Sequence, residues 1–271
     1  MDAPYIPYCG SPPVPGALAW NADPVLAAAL VGAALVYVLA GRRPGGPGRR
    51  EQALFFAGWG VTVAALMSPL CNLSVALFSA RVAQHVILLL IAAPLIALGR
   101  PDKVVAVLRG RVRPGPGSRH GGVGVAATAL FAVALWTWHL PGPYDATLRS
   151  DFVYWTMHVT TFGAALALWH VLLAGGRDGS AVAISVLASL VTAIQMSLLG
   201  ALLSLAPRPL FDVHSVTTWP WGLSPLEDQQ LGGLIMWVLG GLLFTLYFAV
   251  AFAAWLHGLE RGQTGGPSVA G

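Results

Sequence analysis

The chain has 271 residues, 56% of them hydrophobic and only 10% charged, with mean hydropathy +0.70. A soluble domain carries about 25% charged residues, so an ordinary soluble fold is excluded and an integral membrane protein is indicated. The net charge of +4 would suit nucleic acid, but the placement of the basic residues argues against that partner.

Residues 1–23 carry neither the basic n-region nor the apolar h-region of a cleavable signal peptide, and read as an outer tail. Seven runs of about 20 apolar residues follow, each long enough to cross a hydrocarbon core of about 30 Å. They are predicted over Pro24–Ala40, Gln52–Leu70, Val82–Leu98, Val123–His139, Phe152–Ala174, Ala181–Ala206 and Leu231–His257. The expectation is an all-α, polytopic protein with a seven-helix transmembrane domain over 24–257 and a short flexible tail over 258–271.

The connections decide the orientation. Twelve of the fifteen Lys and Arg residues fall on one side, chiefly Arg42, Arg43, Arg49 and Arg50 after the first span, and the six between Arg100 and Arg119 after the third. Only Arg81, Arg149 and Arg208 fall on the other. The positive-inside rule then places the N-terminus outside and the C-terminus in the cytoplasm. The Gly- and Pro-rich basic loops read as topology signals that touch anionic headgroups, and His120 within one of them reads as solvated. Pro94 interrupts the third span and frees the Leu90 carbonyl, which predicts a kink. Gly232, Gly233, Gly240 and Gly241 give the last span a small-residue face for close packing.

This topology sets heights at 1.5 Å per residue. His85 falls about one turn below the outer surface, His139 at the outer end of its span, and His158 one to two turns down. An ionisable ring in hydrocarbon is costly and usually faces a bundle interior. Met67 and Cys71 flank the outer end of span two, Met157 adjoins His158, and Cys9 lies in the outer tail. His170 and His257 sit at inner ends and read as interfacial. Imidazole, thioether and thiolate together suit Cu(I). The plainer alternatives are a hydrogen-bonded packing role for the histidines and core filling by the methionines. Cys9 and Cys71 could pair as a disulfide, or Cys71 could ligate copper. Asp145, in the outer loop, and Asp228, before the last span, could orient a ligating His, and Asp228 could equally cap its helix. No H-E-x-x-H, P-loop, C-x-x-C or G-x-S-x-G is present, so no enzyme is indicated.

Three stretches, A-Q-H-V-I-L-L-L-I-A-A-P-L-I-A-L-G-R-P (Ala83–Pro101), W-H-L-P-G-P-Y-D (Trp138–Asp145) and D-Q-Q-L-G-G-L-I-M-W (Asp228–Trp237), resemble the CtaG-type (caa3-type) cytochrome c oxidase assembly factors. The resemblance covers nearly the whole chain from Trp20. It implies a multi-pass protein of the bacterial plasma (inner) membrane that helps mature the oxidase copper centres, with oxidase subunits or copper chaperones as partners. It carries the family's histidines onto His85, His139 and His158, and its acidic residue onto Asp228. Relatives often begin the third helix H-M-x-x-H, whereas this chain has Arg81-Val82-Ala83-Gln84-His85. Either the site has fewer ligands here, or Cys71 and Cys9 compensate. Rival readings are a b-type haem electron carrier, a copper or small-solute transporter, and a scaffold without metal.

Overall fold

The computed structural model describes residues 5–110, 120–173 and 179–264. Among these residues there are only helices and their connections. Helix α1 (Pro24–Gly41) starts where Asp23 accepts from the backbone N–H of Val25 (2.6 Å) and Leu26 (3.1 Å), with Pro24 in the first turn. Helix α2 (Arg49–Met67) is tied at its opposite end to the short helix α6 (Pro101–Leu108), because the Lys103 ammonium reaches both Glu51 oxygens at 2.7 Å. Ser68 and Pro69 then break the helix. Helix α3 (Pro69–Ala76) leaves α2 at 49°.

The next span runs through Phe78–Leu98 as α4 (Phe78–Ile87), a π-helical turn (Leu88–Ala92) and α5 (Ala93–Leu98). The π turn shifts the hydrogen-bond register to i→i−5. In that register Pro94, which has no N–H, deserts the Leu89 carbonyl. Trp169 supplies the missing donor, with its indole N–H 2.8 Å from that carbonyl. The predicted defect at Pro94 is therefore real, but it takes the form of a π turn, and the carbonyl rescued from another helix is Leu89 rather than Leu90.

Helix α7 (His120–Thr137) turns through 81° into the short α8 (Pro141–Thr147). Helices α9 (Asp151–Leu173) and α10 (Gly179–Ser204) follow. Two 3₁₀ turns, Asp212–His214 and Trp219–Trp221, lead to a last span built from α11 (Pro225–Ile235), a π turn (Met236–Gly241) and α12 (Leu242–Thr264). Among the described residues five helices are long and apolar enough to cross a bilayer, and up to seven spans result if each bent pair counts as one. Their outward faces are apolar: Val25, Val31 and Leu35 on α1 and Leu246 and Val250 on α12 are exposed. An apolar exterior of this kind fits lipid and not water. The short helices α3 and α8 and the 3₁₀ turns, which hydropathy did not signal, gather at one end of the bundle.

That end carries a disulfide between Cys9 and Cys71, with Cα atoms 5.5 Å apart. The segment before α1 is strapped across it. Asn72 donates to the carbonyls of Cys9 (2.9 Å) and Ser11 (3.0 Å), Trp221 donates to that of Pro13 (3.1 Å), and Tyr8 stacks on Tyr154 with centroids 4.8 Å apart. Tyr8 also donates to Asp23 at 2.7 Å, which holds that carboxyl below its ordinary pKa.

Helices α10 and α11 approach backbone to backbone, as the glycine face anticipated. A Cβ on Gly233 would stand 2.7 Å from the Gly200 carbonyl and 2.5 Å from the Ser204 hydroxyl. Gly233→Val should therefore force the two helices apart and cost about 1–3 kcal/mol, seen as a lowered unfolding temperature in detergent. Gly142→Ala, at a site with open space around it, is the control that should change little.

Candidate functional site

The site is built on α4. Asp228, fully buried on α11, accepts from the backbone N–H of Phe78 (2.6 Å) and Ser79 (3.1 Å), and from the Ser79 hydroxyl. Its carboxylate thus satisfies N–H groups at the start of another helix and meets that helix's positive dipole end. Asp228 was expected to cap its own apolar run or to orient a histidine. The structure corrects this: Ser224 caps α11, paired reciprocally with Glu227, while Asp228 caps α4 from across the interface.

One and two turns further along α4 come Arg81, Gln84 and His85. Arg81 is 1% exposed, and among the described residues no acceptor reaches any of its three guanidinium nitrogens. It lies over two tyrosine rings, 5.4 Å from the centroid of Tyr144 and 5.7 Å from that of Tyr154. Each such contact contributes up to about 2 kcal/mol when desolvated. Burying the charge costs several kcal/mol, and the five N–H donors of the fork remain unmet, so the rings offset only part of the cost. Gln84 donates to the Ala65 carbonyl at 2.7 Å and anchors α4 to α2.

The His85 ring meets that of His158 on α9, with centroids 5.1 Å apart, and Nε2 of each is buried without a partner. Nδ1 of His158 lies 3.0 Å from the Tyr154 carbonyl. A carbonyl only accepts, so Nδ1 carries the proton and Nε2 presents a lone pair. His139, just past the end of α7, is fixed in the same way by the Leu135 carbonyl at 2.7 Å. It faces His85 across a cavity of about 20 Å³, lined also by Arg81, Leu135, Tyr144 and Met157. The sequence reading expected three converging histidines. The structure gives a pair, His85 and His158, with His139 as a neighbour across the cavity. Among the described residues no group of three or more His, Cys, Asp or Glu side chains is arranged to hold a metal ion.

The remaining candidates are placed as follows. Cys71 is bonded to Cys9, so it offers no thiolate in this oxidised form. Both sulfurs lie near the Tyr154 hydroxyl, at 3.3 Å for Cys9 and 3.7 Å for Cys71, one residue's width from His158. Met157 is buried and lines the cavity. Met67 instead packs with Leu26, Leu30 and Leu66 between α1 and α2. Asp145 lies 3.8 Å from Arg149, and among the described residues it hydrogen-bonds no histidine.

Composition and periodicity gave no sign of His214, which sits in a polar loop between α10 and α11 yet is buried beneath the site. Its Nε2 is 2.8 Å from the Tyr144 hydroxyl, and its Nδ1 is 3.4 Å from the Thr217 hydroxyl, which donates to the Ala76 carbonyl at 2.7 Å. Because Thr217 spends its proton on Ala76, it accepts from His214 Nδ1–H, and Nε2 accepts from Tyr144. The neutral ring completes this relay. Burial first, and then the Arg81 guanidinium, push its pKa down to about 3.

A family model for the cytochrome c oxidase caa3 assembly factor matches residues 22–258. The chain belongs to that family. No curated protein and no solved structure matches it. Within this assembly factor, the matched region contains every residue of the site except Cys9, so the disulfide joins the family region to the segment before it.

His214 gives the fold a pH dependence of fixed sign. The group binds its proton near pH 6.5 when unfolded and only near pH 3 when folded. The stability it confers is complete above about pH 6.5. It is lost as the pH falls toward 3, by up to about 1.4 kcal/mol per unit. Thermal unfolding of the wild type should steepen below pH 6.5, and His214→Gln should start less stable at neutral pH yet lose this one-proton component. Equal slopes in the two proteins would contradict the assignment.

Proposed function

We propose that this assembly factor binds Cu(I) as cargo between His85 and His158 and passes it to an oxidase subunit or a copper chaperone. The observation that carries the reading is the meeting of two buried imidazoles whose Nε2 atoms have no partner among the described residues. The donor set fits the ion. Neutral imidazole accepts a borderline-soft cation at low coordination number, and the backbone carbonyl behind His158 holds its tautomer and ring orientation as outer partners of metal ligands do. His139 and the Met157 thioether border the adjoining cavity as further donors. Arg81 opposes a second positive charge nearby, which keeps the ion weakly held and suits a site that must release it.

The positive-inside distribution supports placing this end of the bundle on the outer face, where an oxidised disulfide is stable. Haem is disfavoured by the geometry, because ring centroids 5.1 Å apart leave no room for a porphyrin plane and its axial bonds, and a cavity of about 20 Å³ does not admit the macrocycle.

Titration of the purified protein with Cu(I) against a competing chelator should give one ion per chain. His85→Ala combined with His158→Ala should abolish stoichiometric binding, whereas His139→Ala should weaken it by roughly 10–100-fold, the range for groups that support a metal site. Stoichiometric binding retained in the double variant would remove the pair as the site.

A further inference from the structure

Arg81 brings a permanent positive charge to the wall of a small cavity, and among the described residues no acceptor receives its N–H groups. The polar groups nearby are already committed. Asp228 is bonded to the start of α4, and Tyr144, whose hydroxyl donates to His214, meets the guanidinium through its ring face. Among the described residues, the cavity-lining polar groups that are buried without a partner are the guanidinium and Nε2 of His85. No hydrogen bond among the described residues fixes the His85 tautomer, so its neutral ring is free to carry the proton on Nε2.

We propose that this cavity is a binding site for a single monoatomic anion of halide size, held between the Arg81 guanidinium and the His85 Nε2–H. Charge selects an anion, and the two donors converge from adjacent turns of one helix. Size selects a small one: about 20 Å³ admits roughly one water-sized sphere and excludes phosphate, sulfate and organic carboxylates. Val82, Leu89, Ala134, Leu135 and Met157 make most of the rest of the wall apolar, beside His139, Tyr144 and Thr161, so an ion within it is little screened and the attraction is strong for its distance. The site neutralises a charge that α4 otherwise carries alone in a low-dielectric bundle. It rests on Arg81 and on no property of copper.

The test contains no copper, so its outcome is independent of the copper titration. Full-length protein in nanodiscs of zwitterionic lipid is unfolded by heat, followed by tryptophan fluorescence. Chloride replaces gluconate at constant ionic strength. The unfolding temperature should rise by a few degrees and saturate with chloride, and bromide should act likewise. Arg81→Met should be indifferent to chloride, as should Ala134→Leu, which fills the cavity and leaves the charge in place. Line broadening of the chlorine-35 resonance by the wild type, relieved by bromide, reads the same site without unfolding and decides the matter if either variant fails to fold. A wild type indifferent to chloride in both measurements would overturn the proposal, and so would an Ala134→Leu protein that responds as the wild type does.

Discussion

The contact on which the site depends is that of the Asp228 carboxylate with the first N–H groups of α4. A helix start in a low-dielectric bundle leaves N–H groups that water cannot reach, and leaving one unmet costs about as much as a lost buried hydrogen bond. By meeting two of them from α11, Asp228 fixes both the height and the rotation of α4. Arg81, Gln84 and His85 follow within two turns of that anchor, so their places in the interior are set by it. The close approach of α11 to α10 at Gly233 and Gly200 holds the other side of the same frame.

A second constraint is the distribution of charge. Arg81 is a permanent cation, and the rings around it respond. Tyr144 and Tyr154 turn their faces to it, His214 stays neutral inside a relay, and His158 presents a lone pair. One unpaired cation therefore organises a shell of neutral, polarisable groups. A carboxylate in the same place would have closed the charge balance internally and left nothing to recruit from outside.

Much of this was legible in the chain. Hydropathy located the spans to within a few residues, because a helix that must face lipid has little freedom in composition. The depth argument brought His85 and His158 to one level, and they meet. It could not tell which faces of two helices look at each other, and so it added His139 as a third member of a cluster that forms only in part. Charge counting placed Arg81 on the outer side and the family resemblance placed it beside His85, but its burial follows only from packing. His214 left no trace, because its burial is made by a loop folding back over the bundle, with no periodicity to betray it. The pairing of Cys9 with Cys71 was one of two open readings, and the strap that holds residues 5–23 in place decided it sterically.

The disulfide joins positions 62 apart in the chain and encloses all of α1 and α2. Restricting a loop of that length removes about 4 kcal/mol of disorder from the unfolded chain, and it also ties the first hairpin to itself. The two sulfurs, one before α1 and one after α2, share one end of the bundle because these two helices run antiparallel. The bond therefore closes the first hairpin with residues that all precede the helices of His139 and His158 in the chain.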